Sequence, residues 1–271
     1  MQIISLFASY AGLGLFAGLL AGLLGVGGGL VIVPFLVALY SLQGFAPSAL
    51  MQLAVGSSLA TIVFTSLSSM RAHHRRGAVD WPVMLQLSIG ILAGAGVSGS
   101  LAHWMGGAAL AVVFGVFELA VALQLGFAGS AAAHRQAPGR VRNLVAGALI
   151  GALSALLGIG GGTLTVPYLV WHNIDVRRAI GTSAACGLPI AAVGTLGFVW
   201  AGRQVEGLPG ASSGYVYWPA VLAISAASVA AAPLGARLAH RLDRLLLRRI
   251  FASFLFLLGL WMIGHNLPAR P

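Results

Sequence analysis

Residues 14–37 read GLFAGLLAGLLGVGGGLVIVPFLV, and residues 147–170 read GALIGALSALLGIGGGTLTVPYLV. The two stretches are identical at 13 of 24 positions, including a run of three glycines and the proline that follows it. Two further matches, at offsets of 125 and 137 residues, pair AVGSSLAT with AIGTSAAC and GAVDW with GYVYW. Three collinear matches in one chain indicate an internal duplication. We therefore predict a first repeat over 1–132, a linker over 133–142 and a second repeat over 143–271.

The composition is typical of a membrane protein. Of the 271 residues, 59% are hydrophobic and only 7% are charged, and the mean hydropathy is +0.95, whereas a soluble domain carries roughly 25% charged residues. Several apolar runs reach the roughly 20 residues that a helix needs to cross about 30 Å of hydrocarbon. We predict an all-α integral membrane protein, a polytopic bundle in contact with the lipid bilayer. The N-terminal stretch lacks the positive region of a secretory signal, so we expect it to belong to the mature protein.

The charged residues argue against several functions. All 15 basic residues are arginines, and the net charge is +10. These arginines lie in short segments between apolar runs and not in a stripe beside stacking aromatic residues, so we predict no binding to nucleic acid. The absence of lysine excludes a Walker A loop, and one cysteine, Cys186, allows neither an internal disulfide nor a CxxC pair. We predict no enzymatic activity, no cofactor and no metal site.

The arginines also predict how the chain passes through the glycine breaks. If each broken stretch is one bent crossing, there are eight spans, the halves are parallel and the arginines divide eight to seven. If each is a hairpin, there are up to ten spans, the halves are inverted, and thirteen arginines oppose Arg203 and Arg270. Because cytoplasmic loops carry the basic excess, we predict inverted halves with both termini periplasmic. The arm over 30–41 is only about 18 Å long, so re-entrant arms are the alternative to full crossings.

The glycine breaks are the predicted binding site. Three successive glycines cost roughly 1 kcal/mol each in a helix relative to alanine, and non-helical backbone in hydrocarbon persists only against protein or a wet cavity. Transporters with inverted repeats use such broken helices, whose free N–H groups and positive dipole ends hold anions. Polar groups nearby include Thr165. The predicted substrate-binding residues are Gly25, Gly27, Gly28, Gly29, Ser57, Ser58, Thr61, Gly158, Gly160, Gly161, Gly162, Thr163, Thr182 and Ser183.

A few isolated polar residues also stand out. Glu118 is the one acid far inside an apolar run, and ionisable groups there are functional by default because charge is costly in hydrocarbon. We therefore predict a role in proton coupling, with a neutral acid hydrogen-bonded to a neighbouring helix as the structural alternative. His103 and His240 recur in both halves and are expected at the membrane interface. Asp80 is expected in a turn or helix cap.

Small residues offer alternatives to anion binding. Residues 96–99 (GVSG) match the GxSG segment around an intramembrane serine nucleophile, and His103 lies five positions after Ser98. Such chemistry needs a base within hydrogen-bond reach of the serine, whereas five residues along a helix place two side chains on different faces. A membrane enzyme or a scaffold subunit is thus the weaker alternative. Glycines four residues apart are expected to serve helix packing: Gly14, Gly18, Gly147 and Gly151.

The duplicated segments resemble those of a known family. GLLAGLLGVGGGLVIVPFLV, its echo GALSALLGIGGGTLTVPYLV, the AVGSSLAT and AIGTSAAC segments and HHRRGAVDW resemble the TauE/SafE sulfite-exporter-type permeases over nearly the whole chain. The resemblance implies a multi-pass permease of the bacterial cell inner membrane that moves sulfite or a small sulfur-containing organic anion. The second copy departs from the pattern with GYVYW in place of GAVDW. We expect a secondary transporter of a small anion, and a homodimer is compatible with the sequence.

Overall fold

The computed structural model describes residues 2–24, 28–127, 139–238 and 244–266, and these residues form nine helices and one short β-hairpin. The predicted all-α architecture is confirmed. The strands β1 (Ser212–Ser213) and β2 (Val216–Tyr217) pair antiparallel just before the eighth helix. The helices are α1 (Gln2–Leu24), α2 (Gly29–Leu42), α3 (Leu50–Arg75), α4 (Trp81–Phe127), α5 (Arg140–Leu156), α6 (Gly162–Trp171), α7 (Val176–Gly202), α8 (Trp218–Leu238) and α9 (Arg244–Asn266).

The two halves repeat one order of helices. The 47-residue α4 is broken at Gly106, whose φ of 76° divides it into a first arm and a second arm. With this division, α1, α2, α3 and the two arms of α4 correspond in order to α5, α6, α7, α8 and α9. Each half therefore contains five helical segments in the same order.

The equivalent helices α3 and α7 run in opposite directions. A Cβ placed on Gly56, early in α3, would lie 3.2 Å from Phe198 Cβ, late in α7. A Cβ on Gly187, in the middle of α7, would lie 3.5 Å from Ser66 Cβ, further along α3. Two equivalent helices that pack antiparallel require two halves of opposite orientation. The predicted inverted repeats are confirmed, and the parallel arrangement with eight spans is wrong.

The helices on either side of each glycine break form a helical hairpin. The ring centroids of Tyr10 in α1 and Tyr40 near the end of α2 lie 6.4 Å apart, so α2 folds back along α1. In the second half, Tyr168 OH of α6 donates to Asn143 Oδ1 near the start of α5, at 2.9 Å. At 1.5 Å per residue, the 14-residue α2 and the 10-residue α6 are about 21 Å and 15 Å long. Neither arm alone reaches across about 30 Å of hydrocarbon.

Each half packs its first helix against the other half. α1 lies along α8, and α5 lies along the first arm of α4. A Cβ on Gly14 would lie 2.6 Å from Ile224 O, and one on Gly151 would lie 2.6 Å from Ile91 O. Side chains larger than hydrogen do not fit between these backbones. The predicted packing role is confirmed for Gly14, Gly18, Gly147 and Gly151.

The outer surface suits a lipid environment. Among the described residues, three helices have the length and apolar composition to cross a membrane: Leu50–Arg75, Trp81–Phe127 and Val176–Gly202. Large apolar side chains are exposed around the bundle, including Leu85 and Trp104. Contiguous apolar surface of this kind marks a membrane or protein interface.

Seven arginines lie together at one end of the bundle. Arg178 at the start of α7 lies 4.0 Å from Asp80 Oδ2, directly before α4. Asn143 at the start of α5 donates to Gln86 Oε1 in the first turns of α4, at 2.8 Å. These contacts place the end of α3 and the starts of α4, α5 and α7 together. Arg203 follows the opposite end of α7, whereas the collected arginines are Arg71, Arg75, Arg76, Arg140, Arg142, Arg177 and Arg178.

Some predicted features lie outside the described residues. They are Gly25 and Gly27 of the first break, positions 133–138 of the predicted linker, and His240. α5 begins at Arg140, so the last three positions of the predicted linker are helical. The boundaries predicted for the two repeats stay predictions.

Candidate functional site

The two glycine breaks lie against each other. A Cβ on Gly29 would collide with Gly158 O and lie 2.7 Å from Ile159 Cα, so the start of α2 packs directly on the second break. Gly158 has a φ of +67°, a conformation that glycine adopts without steric cost. From α3, Ser58 Oγ donates to Gly158 O at 2.7 Å. The structure thus brings residues of both breaks and one predicted hydroxyl together.

A helix begins at each break. Gly28 is the N-cap of α2 and Gly161 is the N-cap of α6, and neither position has a side-chain cap within the described residues. Gly29 and Gly162 are the first helical residues. The first four N–H groups of a helix lack partners within that helix, and this end carries partial positive charge. Each break therefore presents backbone donors that suit an anion.

The second break lies between α3 and α7. The nearest atom to a Cβ on Gly160 is Ile62 Cγ2 of α3, at 3.7 Å, so a small group fits beside this glycine. A Cβ on Gly161 would lie 3.2 Å from Thr165 Oγ1 and 3.3 Å from Ser183 O of α7. The backbone at the start of α6 therefore faces hydroxyl residues of α6 and α7.

Two of the predicted hydroxyls form equivalent contacts that link the halves, here called the cross-repeat clasps. Ser57 Oγ of α3 accepts from Tyr217 N at 3.0 Å and from Tyr40 OH at 3.1 Å. Thr182 Oγ1 of α7 accepts from Asp80 N at 2.9 Å. The two backbone donors directly precede α8 and α4, so each hydroxyl holds the segment before the fourth helix of the other half. Ser57 and Thr182 therefore have a structural role that the sequence did not predict.

Thr61 contacts its own helix. Its Oγ1 donates to Ser58 O at 2.6 Å, the local hydrogen bond that hydroxyl residues commonly make in membrane helices. Together with the hydrogen bond of Ser58 to Gly158 O, this contact gives both first-repeat hydroxyls a partner. The structure thus places Ser58 at the breaks. Thr61 contacts Ser58 and not the breaks through this hydrogen bond.

Four buried hydroxyls around the second break lack a hydrogen-bond partner among the described residues: Ser154, Thr163, Thr165 and Ser183. The repeat alignment pairs the first three with Ala21, Leu30 and Ile32 of the first copy. Thr163 and Ser183 were predicted site residues, and Ser154 was missed. Comparison of the two repeats could have identified Ser154, because it replaces the apolar residue Ala21 in an otherwise similar segment.

Glu118 lies apart from the breaks, on the second arm of α4. It is fully buried, and neither carboxyl oxygen has a hydrogen-bond partner in the part of the chain that the structure describes. This arm packs on α9, where a Cβ on Gly115 would lie 2.8 Å from Gly259 O. The hydrogen bond to a neighbouring helix that the structural alternative requires is therefore not formed by the described residues.

The residues of the protease alternative are not brought together. Ser98 Oγ donates to Ala95 O of its own helix at 2.7 Å, and His103 Nδ1 lies 2.7 Å from Tyr215 OH.

Asp80 accepts from Val83 N through Oδ1 at 3.3 Å, as predicted for a helix cap. Over residues 2–24, 28–127, 139–238 and 244–266, no three His, Cys, Asp or Glu side chains are placed to hold a metal ion.

Comparison with known proteins adds evidence independent of this geometry. The sequence profile of the family described as sulfite exporter TauE/SafE matches residues 10–262. A probable membrane transporter protein of Haemophilus influenzae is 36% identical over 251 residues, which cover 92% of this chain and 95% of that protein. A probable membrane transporter protein of Methanocaldococcus jannaschii is 26% identical over 258 residues, covering 92% of each chain. Another, from Bacillus subtilis, is 28% identical over 275 residues, covering 94% of this chain and 96% of that one. No solved structure matches.

Proposed function

Because this chain belongs to the sulfite exporter TauE/SafE family, whose curated relatives are named as membrane transporters, we propose that it is a secondary transporter of a small anion. Sulfite or a small organosulfur anion is the proposed substrate. We further propose that the protein lies in the bacterial cell inner membrane, with its arginine-rich end in the cytoplasm and both termini in the periplasm. Cytoplasmic segments carry the excess of basic residues in such proteins, which supports this orientation.

The observation that carries the proposal is the contact between the two breaks. Gly29, at the start of α2, packs on Gly158 and Ile159, so the start of one broken helix lies directly against the second break, three residues before the N-cap of α6. Broken helices that begin near the middle of an inverted-repeat bundle are where transporters of this architecture bind anions. Backbone N–H groups and helix dipoles supply the attraction there without an arginine.

The inverted halves also supply a way to move the anion. A site between two equivalent halves of opposite orientation opens to one side when one half tilts and to the other side when its partner does. The cross-repeat clasps lie at opposite ends of the pair α3 and α7, because Ser57 is early in α3 and Thr182 is early in the antiparallel α7. We propose that one clasp loosens on each side in turn.

Glu118 is the proposed coupling residue. A carboxyl group that is buried without a hydrogen-bond partner is far more stable in its protonated form than in its charged form. Buried acids of this kind form proton relays in transporters. We propose that Glu118 exchanges a proton when the helices α4 and α9 move relative to each other. Its repeat mate, Leu255, cannot exchange a proton, so coupling would come from one half alone.

The substrate and the site are tested together in proteoliposomes. The purified wild-type protein is expected to move sulfite or a short alkanesulfonate across the membrane. Gly160→Val fills the space beside the second break, where the nearest atom to a new Cβ is 3.7 Å away, so folding is expected to survive while transport falls at least tenfold. Gly12→Val is the matched control, because no described atom lies within 4 Å of its Cβ position. Normal transport by folded Gly160→Val would show that the site is elsewhere, and a wild type that moves neither anion would refute the function.

Coupling has its own test. In proteoliposomes with an imposed pH gradient, Glu118→Gln keeps the size and polarity of the side chain and removes its proton exchange. The variant is expected to lose the acceleration of substrate movement by the gradient while it still binds the anion. An undiminished response to the gradient would exclude Glu118 as the coupling group.

A further inference from the structure

The hydroxyl groups of the membrane helices differ in their hydrogen bonds. Several donate to a backbone carbonyl of their own helix, as Thr195 does to Ala191 O at 2.6 Å and Ser88 does to Met84 O at 2.8 Å. Such bonds are the ordinary state of Ser and Thr in these helices. Thr165 and Ser183 instead are at most 1% exposed and have no hydrogen-bond partner among the described residues. A buried hydroxyl without a partner destabilises the protein. A bound ligand that accepts hydrogen bonds from these two hydroxyls would remove that cost.

Both residues adjoin the same backbone. Thr165 Oγ1 lies 3.2 Å from the Cβ position of Gly161, and the backbone carbonyl oxygen of Ser183 lies 3.3 Å from that position. Gly161 caps α6, a helix of ten residues, and its own N atom lies 3.8 Å from the Cβ position of Gly187 on α7. The unpartnered hydroxyl of Thr165 and the residue Ser183 therefore both lie beside the start of α6, where the first N–H groups have no partner within the helix.

We propose that the second break alone binds the anion, a singly charged oxyanion, through the hydroxyls of Thr165 and Ser183 and the N–H groups at the start of α6. This inference rests on the proposed function and assigns the site to one copy of the repeat. Thr163, two residues before Thr165, lies on the opposite side of α6 because successive helical residues are about 100° apart. Its hydroxyl is not part of the proposed site.

The charge of the ligand follows from the surroundings. The nearest atoms around the second break that come from α2, α3 and α7 belong to uncharged residues: Val33, Val55, Ser58, Ile62, Ser183 and Ile190. Moving a charge from water into the protein costs several kcal/mol unless it is paired. Uncharged hydrogen-bond donors can offset this cost for an anion with one negative charge, but not for an anion with two. A sulfonate fits this limit, and sulfite fits it as hydrogen sulfite.

The first break offers less to an anion. Leu30 and Ile32 occupy the positions equivalent to Thr163 and Thr165, and both are at most 1% exposed. The hydroxyl equivalent to Ser183 is Ser58, which already donates to Gly158 O. The first copy therefore supports the second break through packing and a hydrogen bond, and it supplies no unpartnered hydroxyl at these three positions.

Binding to the purified protein in detergent, measured by isothermal titration calorimetry, tests the proposal. The probes are sodium methanesulfonate, which carries one charge, and sodium sulfate, which carries two. The wild type is expected to bind methanesulfonate with saturation and to bind sulfate at least tenfold more weakly. Ser183→Ala is expected to weaken methanesulfonate binding about tenfold, the loss of one hydrogen bond to a charged group. Thr165→Ser keeps the hydroxyl and is expected to stay within threefold of wild type.

Thr195→Val is the matched control, since it removes a self-satisfied hydroxyl from the same helix as Ser183. Equal affinity for sulfate and methanesulfonate would overturn the assignment of charge. If Ser183→Ala binds methanesulfonate as the wild type does, and the wild type transports it, the proposed one-sided site, formed by the second break alone, is wrong. The transport function then stands. If the wild type neither binds nor transports methanesulfonate or sulfite, the transport proposal fails as well.

Discussion

The first glycine break is followed by Leu30 and Ile32, whereas the second is followed by Thr163 and Thr165. The two breaks otherwise have the same sequence pattern, each joins two helices that fold back along each other, and residues of both breaks lie in contact. Duplication has thus produced two equal scaffolds with unequal chemistry. The difference teaches that symmetry of the backbone does not imply symmetry of the binding groups.

The cross-repeat clasps show the opposite behaviour. Ser57 and Thr182 occupy equivalent positions and accept from equivalent backbone donors, Tyr217 N and Asp80 N. The cross-repeat clasps are therefore the same on both sides. They follow the symmetry of the repeat, and the unpartnered hydroxyls at positions 163 and 165 depart from it.

The largest expected effect concerns the contact between the breaks. Gly29→Val would drive a side chain into Gly158 O and Ile159 Cα, and because both obstacles are backbone atoms, they cannot move aside cheaply. We expect a loss of at least about 3 kcal/mol, the upper range for overpacking, seen as a large drop in Tm in detergent. Gly12→Val, with no described atom within 4 Å, should unfold near the wild-type temperature. A wild-type Tm for Gly29→Val would mean that the breaks do not touch.

A smaller effect is expected when the clasps are broken one at a time. Ser57→Ala leaves Tyr217 N and Tyr40 OH without their acceptor in a buried setting, so we expect a loss of about 2–3 kcal/mol. Thr182→Val leaves only Asp80 N, which is partly accessible to water, and should cost about 1 kcal/mol. Thermal unfolding of both variants measures the difference. Equal losses, or a larger loss for Thr182→Val, would contradict the different burial of the two clasps.

The smallest expected effect is a gain in stability. Glu118→Leu introduces the residue that stands at the equivalent position of the second copy, Leu255. Since Glu118 is buried and its carboxyl oxygens have no partner in the described chain, an apolar side chain of similar size should raise the free energy of unfolding by about 1 kcal/mol. A modest rise in Tm checks this, and Glu118→Gln serves as the polar control. A clear destabilisation by Glu118→Leu would show that the carboxyl has a stabilising partner.

Much of the fold was predictable because its causes lie in the sequence pattern. The duplication is visible in the residues around Gly25 and Gly158, and the inverted orientation follows from the distribution of arginines. The sequence predicted that Gly14 packs closely against another helix, since glycines four residues apart mark a close helix contact. It did not predict that the contact is with Ile224. The partner helix was not predictable, because the exchange of first helices between the halves depends on tertiary packing.

The candidate site was less predictable than the fold. The sequence identifies hydroxyls near the breaks but not their hydrogen bonds, and those bonds separate Ser57 and Thr182 from Ser183. Ser154 was missed because a single serine in an apolar helix is an ordinary residue. Only the three-dimensional positions of donors and acceptors reveal which hydroxyls remain unpartnered, and the contact of Gly29 with Gly158 likewise depends on the folded chain.

The most direct test of the one-sided site places the same residue at two equivalent positions. Thr165→Val and Ile32→Val each create valine on the helix after a break, but the first removes a hydroxyl and the second removes a methylene group. Methanesulfonate affinity of both purified variants is measured by isothermal titration calorimetry. We predict about a tenfold weaker affinity for Thr165→Val and an affinity within twofold of wild type for Ile32→Val. Equal affinities for the two variants, or a greater loss for Ile32→Val, would contradict a binding site formed by the second break alone.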